Sequence, residues 1–104
     1  MPSIEQLEKL LAADPNDAFV LYGLAQEHAK NGDHETAIGF FDRCLGVDPL
    51  YTYAYFHKAR SQEADGDVTG AAETLRFGLG KAREAKDDQA IGEIGMYLDS
   101  LGAG

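Results

Sequence analysis

Two stretches of the sequence decide the fold: DPNDAFVLYGLAQEHAKNGDHETAIGFFDRCLG at residues 14–46 and DPLYTYAYFHKARSQEADGDVTGAAETLRFGLG at residues 48–80. The second resembles the first at an offset of 34 residues, the separation between Pro15 and Pro49. The same offset joins identical residues: Ala25 with Ala59, Gly32-Asp33 with Gly66-Asp67, Ala37 with Ala71, and Leu45-Gly46 with Leu79-Gly80. A fixed period kept from one turn to the next indicates a repeat architecture.

Each unit is predicted to be a pair of antiparallel helices. Residues that face one side of a helix recur with helical spacing, at Leu21, Leu24, Ala25 and His28 and then at Ala37, Phe41, Cys44 and Leu45. Gly32 and Gly66 stand where a helix should end, and the Asp that follows each can cap the next helix. The Asp-Pro pairs then separate successive hairpins, because proline disfavours helix at the residue before it.

These residues resemble the tetratricopeptide repeat family, whose unit of about 34 residues follows W-x2-L-G-x2-Y…A-x3-F…P. In the first unit, residues 16–49, the pattern falls on Leu21, Leu24, Ala25, His28, Ala37, Phe41 and Pro49. In the second, residues 50–83, it falls on Tyr55, Lys58, Ala59, Gln62, Ala71 and Leu75, and Arg83 replaces the closing proline. The resemblance implies an all-α fold, a right-handed superhelix of antiparallel helical hairpins.

The flanking segments are predicted to add one helix at each end of the two repeats. Ser3 and Gln6 form a capping box for a helix with Leu7, Leu10 and Leu11, which corresponds to half of an earlier repeat. Asp87 or Asp88 caps a terminal helix with Ala90, Ile91, Ile94, Tyr97, Leu98 and Leu101 on one stripe. We therefore expect a single domain over residues 1–104 with six helices, at about 3–13, 18–31, 34–47, 52–65, 68–86 and 88–101.

Composition narrows the classes of partner. The net charge of −9 disfavours nucleic acid and anionic membranes, which carry the same sign. An acidic surface fits basic partners but equally serves solubility, and both interpretations stay open. Cys44 is the single cysteine, no apolar run approaches the length of a membrane span, and the start lacks a signal-peptide pattern, so a cytoplasmic location is expected.

The sequence offers no recognisable catalytic or metal-binding motif. The three histidines, His28, His34 and His57, share no metal-ligand spacing. No nucleophilic side chain is paired with a base in the sequence. The segment 78–81, GLGK, lacks the residues of a phosphate loop, and Gly78 is instead expected to let two helices approach closely. The alternating Tyr51, Tyr53 and Tyr55 could indicate a strand, but the neighbouring residues do not continue the alternation and the repeat register runs through the same window, so a helix from about residue 52 is favoured. We expect no cofactor, no metal and no enzymatic activity.

The resemblance implies a concave face lined by the first helix of each hairpin. The positions are Phe19, Tyr22, Gln26 and Lys30 in one unit and Tyr53, Phe56, Arg60 and Glu63 in the next. We expect Phe19 and Tyr53 to be exposed, whereas Tyr22 and Phe56 either face the groove or pack between hairpins. Some family members hold chaperone tails with a carboxylate clamp of Lys, Asn and Arg, but the corresponding positions here are Tyr22, Gln26 and His57.

Two functions follow from this interpretation. The leading one is a protein-interaction module whose groove accepts a peptide or helix of a partner protein. The alternative is a structural protein that self-associates, for example as a homodimer, through an exposed hairpin face.

Overall fold

The computed structural model describes residues 2–102, which form six α-helices. They are α1 (Ile4–Ala13), α2 (Ala18–Lys30), α3 (His34–Val47), α4 (Thr52–Ala64), α5 (Val68–Glu84) and α6 (Asp88–Ser100). This part of the chain contains no strand, which confirms the all-α prediction and places Tyr53 and Tyr55 on a helix. No helix in it is both long enough and apolar enough to cross a membrane.

Three of the turns between helices share one geometry. The residue before the cap has a positive φ: 80° at Gly32, 86° at Gly66 and 55° at Lys86. The Asp that follows each accepts a hydrogen bond from the backbone N–H three residues on: Asp33 from Thr36, Asp67 from Gly70 and Asp87 from Ala90. These bonds satisfy donors that the first turn of a helix leaves without partners.

Lys86 explains why α5 ends at Glu84, two residues before the predicted end at 86. A residue other than glycine at positive φ costs about 1–2 kcal/mol, so lysine is rarely found there. A lysine in the sequence is therefore not recognised as the signal of a turn. The other predicted helix ends at 31, 65 and 101 lie one residue late, because Asn31, Asp65 and Leu101 already belong to the closing turns. At the first helix, Ser3 is the cap rather than a helical residue, and its capping box with Gln6 is present.

The helices form two layers. Each helix packs on the next along the chain, with α2 and α3 forming the first hairpin and α4 and α5 the second. In addition α2 contacts α4 and α4 contacts α6, whereas α3 makes no such contact with α1 or α5. A curved stack brings helices together on its inner side, so α2, α4 and α6 form the concave layer and α1, α3 and α5 the convex one.

The core is shared between hairpins. One buried cluster combines residues of α2 and α3 with Ala54 of α4: Leu21, Ala25, Ala37, Phe41, Cys44 and Ala54. A second joins α4, α5 and α6, and a third joins α1 to α2 through Leu7, Val20 and Leu24. Because each helical pair buries its apolar side against the next element, the stack is stabilised by neighbouring units.

Gly78 is the point at which α4 and α5 approach most closely among the glycines of α5. A Cβ at this position would lie 2.5 Å from Cβ of Tyr55 and 2.8 Å from its Cγ. This agrees with the close helix approach expected at this glycine. Gly80, on the same helix, would place a Cβ in open space, and nothing in the structure explains that glycine.

We expect Gly78→Ala to lower the free energy of unfolding by about 1–3 kcal/mol, because the added methyl forces α4 and α5 apart. Gly80→Ala is the matched control. It should raise the stability by about 0.5–1 kcal/mol, the gain in helix propensity at an unhindered site. Urea unfolding followed by circular dichroism measures both. If Gly78→Ala were as stable as Gly80→Ala, the close approach would be disproved.

Candidate functional site

A cavity of about 420 Å³ opens between α2 and α4 on the concave side. Its lining comprises nine residues: Gln26, Ala29, Lys30, His34, Phe41, His57, Arg60, Ser61 and Ala64. Gln26, Lys30 and Arg60 were among the site residues expected from the sequence, and the structure brings these three together. The volume lies in the range of pockets that bind side chains or small ligands.

The lining of the cavity contains both apolar and polar side chains. The Phe41 ring is buried and lies nearly parallel to the His57 ring, with the ring centroids 6.5 Å apart. Nδ1 of His34 lies 3.0 Å from Oγ of buried Ser61, so the two side chains satisfy each other's hydrogen bonding. The Gln26 amide donates to the Tyr22 hydroxyl over 3.1 Å, which holds that amide at the edge of the cavity.

The charged groups of the cavity are cationic. None of its nine lining residues is an aspartate or a glutamate. Lys30 Nζ lies 3.4 Å from Glu27, but Arg60 forms no ion pair within residues 2–102. Burial lowers the pKa of His57 below its ordinary value of 6.5, the Arg60 charge lowers it further, and Glu93 opposes them. His57 is therefore neutral at pH 7 and has one ring N–H to donate.

The lowered pKa of His57 makes stability depend on pH. The unfolded chain binds a proton at His57 more readily than the folded one, so stability is lost as the pH falls from about 6.5 through the folded pKa. We expect wild type to lose more stability between about pH 7 and pH 5 than a His57→Gln variant does. Thermal unfolding over this range measures the difference. An equal loss in both proteins would contradict the burial of a neutral imidazole.

The aromatic residues expected on the groove divide into two kinds. Phe19 is 72% exposed near the start of α2, as anticipated. The expectation of exposure is wrong for Tyr53, which is half-buried against the cluster that joins α4, α5 and α6. Its position on α4 faces α6, and the sequence alone did not place α6 beside it.

Tyr22 and Phe56, for which two interpretations were open, both pack against other rings. The Tyr22 ring centroid lies 4.8 Å from that of Tyr51 and 5.8 Å from that of His57. Burial raises the pKa of Tyr22 to about 12. Phe56 lies 5.3 Å from both His57 and Tyr97, measured between ring centroids. These half-buried rings therefore fill the joints between the helices of the concave layer.

Glu63 is held by a residue that the sequence assigned only to the terminal helix. The Tyr97 hydroxyl of α6 donates to Oε1 of Glu63 on α4. Burial and this hydrogen bond both raise the pKa of Tyr97. Tyr97 stands 34 residues after Glu63, the repeat period, and that register was the available signal that α6 continues the concave layer. The sequence also did not anticipate His34 and Ser61 as cavity residues.

The arrangement defines a class of protein: a solenoid of helical hairpins with a groove and a cavity on its concave side. A family model described as tetratricopeptide repeat matches residues 3–48 and 22–82. The chain belongs to the tetratricopeptide repeat family, and the resemblance stated from its motifs is confirmed. Among residues 2–102 no cluster of three His, Cys, Asp or Glu side chains is placed to hold a metal ion.

Known proteins similar to this chain share its length or its fold. The TPR repeat-containing protein PA0015 of Pseudomonas aeruginosa is 34% identical over 98 residues, which is 94% of this chain and 93% of that protein. The TPR2B domain of yeast Sti1, solved in a complex with pHsp70, has a TM-score of 0.89 at 24% identity and covers 95% of this chain and 79% of that one. PcrH, solved with the chaperone-binding region of PopD, has a TM-score of 0.89 at 21% identity, with 96% and 76% covered.

Proposed function

We propose that this protein binds a peptide or a helix of a partner protein in the groove of α2, α4 and α6. The observation that carries the proposal is the cavity between α2 and α4, into which Arg60 brings a charge that no ion pair within residues 2–102 neutralises. Exposed Phe19 lies near the start of α2, about two turns before Gln26, and offers an apolar contact surface. Aromatic and arginine side chains are the types that most often dominate binding energies at interfaces.

Family membership supports a binding role over a catalytic one. Two proteins with this fold were solved as complexes with another protein or a part of one. The TPR2B domain of Sti1 was solved with pHsp70, and PcrH was solved with the chaperone-binding region of PopD. These likenesses concern the fold, and the proposal for this chain rests on its own groove. The expected absence of a cofactor, of enzymatic activity and of nucleic-acid or membrane partners stays a prediction, as does the cytoplasmic location.

The test begins with a phage-displayed library of random peptides of about 16 residues, long enough to cross the groove as a helix. The immobilised protein selects peptides, which are then synthesised and titrated into 15N-labelled protein. We expect amide shifts to concentrate in α2, α4 and α6, with the convex helices α1, α3 and α5 as the internal control. Shifts confined to the convex helices, or no selected peptide that binds, would refute the proposal.

A double variant then tests the named residues. Phe19→Ala with Arg60→Ala should weaken binding by about tenfold or more, because it removes one apolar and one charged contact. Both side chains are exposed, so the circular dichroism spectrum and melting temperature should stay unchanged. Phe77→Ala with Arg83→Ala, an exposed pair on convex α5, is the matched control. Equal affinities of the two double variants for the peptide would show that the binding site does not include Phe19 and Arg60.

A specific feature of α6 favours self-association as a second candidate. Met96 is 74% exposed, and the neighbouring Gly92 and Gly95 would each place a Cβ in open space. This leaves a flat face on the last helix that another copy of the chain can cover. Light scattering coupled to size exclusion tests it: a concentration-dependent dimer that Met96→Glu abolishes supports this candidate, and a monomer at high micromolar concentration removes it.

A further inference from the structure

The charge of the cavity is opposite to that of the protein. The chain contains 18 acidic residues and 9 Lys or Arg residues, giving a net charge of −9. Nevertheless the cavity between α2 and α4 includes two cations and no carboxylate among its lining residues. Its other polar side chains are one amide, two imidazoles and one hydroxyl, all able to donate a hydrogen bond.

Arg60 also differs from four of the five lysines of this protein. Lys9, Lys30, Lys58 and Lys81 each lie within 4.0 Å of a carboxylate. Arg60 has no such partner in the described part of the chain, and neither have Lys86, Arg43 and Arg83, but of these four side chains only Arg60 lines the cavity. Glu63, one turn farther along α4, is held instead by the Tyr97 hydroxyl of α6. The Arg60 charge acts on that hydroxyl and opposes the rise of its pKa, but no hydrogen bond from the guanidinium is found among residues 2–102, and Arg60 lines the cavity.

We infer that the cavity accepts the side-chain carboxylate of an aspartate or glutamate within the bound peptide. Arg60 supplies the paired N–H donors that match the two carboxylate oxygens, which a lysine cannot do. The Gln26 amide gives one hydrogen to Tyr22 and keeps a second for the ligand. Neutral His57 provides another donor, whereas Lys30 at the rim is already paired with Glu27. This inference rests on the proposed function and names the anchor residue of the partner.

The site shares two positions with the carboxylate clamp known in parts of this family, but its residues and its charged groups differ from those of the clamp. The clamp positions hold Tyr22, Gln26 and His57 here, and Tyr22 is packed among rings. Lys30 and Arg60 lie about one turn farther along α2 and α4, respectively. A peptide bound along α2, α4 and α6 would pass the cavity between α2 and α4 with its middle part, so an internal acidic side chain, rather than the end of the chain, is the expected occupant.

The negative surface limits which peptides can use the cavity. At physiological salt, charges more than about 8 Å apart are largely screened, whereas a carboxylate in contact with Arg60 is not. One acidic anchor is therefore favourable even though the protein as a whole is acidic. Additional acidic residues would lie against the surrounding carboxylates, so the remainder of the peptide should be neutral or basic.

The test uses the peptides selected from the random library, synthesised with amidated C-termini so that no terminal carboxylate is present. Each Asp or Glu in a peptide is changed singly to Asn or Gln, and affinities are measured by fluorescence polarisation. We expect one acidic position at which this change weakens binding to wild type by about tenfold. Against Arg60→Gln the same change should weaken binding less than about twofold, because its partner is gone.

Two further variants separate charge from geometry. Arg83→Gln makes the same substitution at an exposed site on α5, outside the cavity, and should keep the full tenfold preference. Arg60→Lys keeps the charge but loses the planar fork, and we expect an intermediate preference. Circular dichroism of each variant checks that it is folded.

The outcomes distinguish this inference from the proposed function. If peptides bind the groove without needing an acidic residue, or if the acidic preference is the same in Arg60→Gln, the inference is overturned while groove binding stands. The same peptides are also synthesised with a free C-terminal carboxylate, and if Arg60→Gln weakens binding only of these, the internal anchor is likewise overturned. If no selected peptide binds, the proposed function fails, and the inference fails with it.

Discussion

Replacing Phe41 by alanine is expected to lower the free energy of unfolding by about 3–5 kcal/mol, the largest loss from any single truncation considered for this protein. The ring is 0% exposed and lies in the cluster that α2, α3 and α4 share. Its centroid is 6.0 Å from that of Tyr22 and 6.5 Å from that of His57. Truncation therefore removes contacts to both neighbouring helices of the concave layer and leaves a void at the base of the cavity.

Urea unfolding followed by circular dichroism measures this loss, and Phe19→Ala is the matched control. Phe19 is also a phenylalanine on a helix of the first hairpin, but it is 72% exposed. Its truncation should change stability by no more than about 0.5 kcal/mol. A loss below about 1 kcal/mol for Phe41→Ala would mean that the joint between the hairpins is not where the structure places it.

The second large effect is expected for Leu24→Ala, which should cost about 2–5 kcal/mol. Leu24 is 0% exposed in the cluster with Leu7 and Val20, which attaches α1 to the first hairpin. The two helices are close at this joint, since a Cβ on Gly23 would lie 3.4 Å from a methyl carbon of Leu7. Because α2 is the one helix that α1 packs on within residues 2–102, the attachment of α1 should be weakened more than any other part of the stack.

Hydrogen exchange gives this prediction a local readout in addition to the global free energy. In Leu24→Ala the amides of α1 should lose protection before those of α4 and α5, since terminal units of a repeat stack open first. Leu10→Ala is the control on α1 itself, because Leu10 is 53% exposed and lies outside the buried cluster. If the α1 amides exchanged at the same rate in both variants, Leu24 would not be the residue that holds α1.

The local signals in the sequence predicted the hairpins. Gly32 and Gly66 adopt the positive φ that turns of this kind need, and Asp33 and Asp67 cap the helices that follow. Such features depend on a few consecutive residues, so they can be recognised without knowing what packs nearby. Lys86 shows the limit of this approach, because a lysine in the same conformation carries no visible mark of a turn.

The sequence by itself determined the helical hairpins, their number and the family, because repeat period, caps and turn residues are properties of neighbouring positions. The tertiary structure decided what each side chain of the concave layer faces. Tyr53 packs toward α6, and His34 forms a hydrogen bond with Ser61, which lies 27 residues later in the sequence. The cavity whose lining includes Arg60 and no carboxylate likewise depends on how α2 and α4 come together. Such contacts depend on the rotation and spacing of helices distant in sequence, which no local pattern encodes.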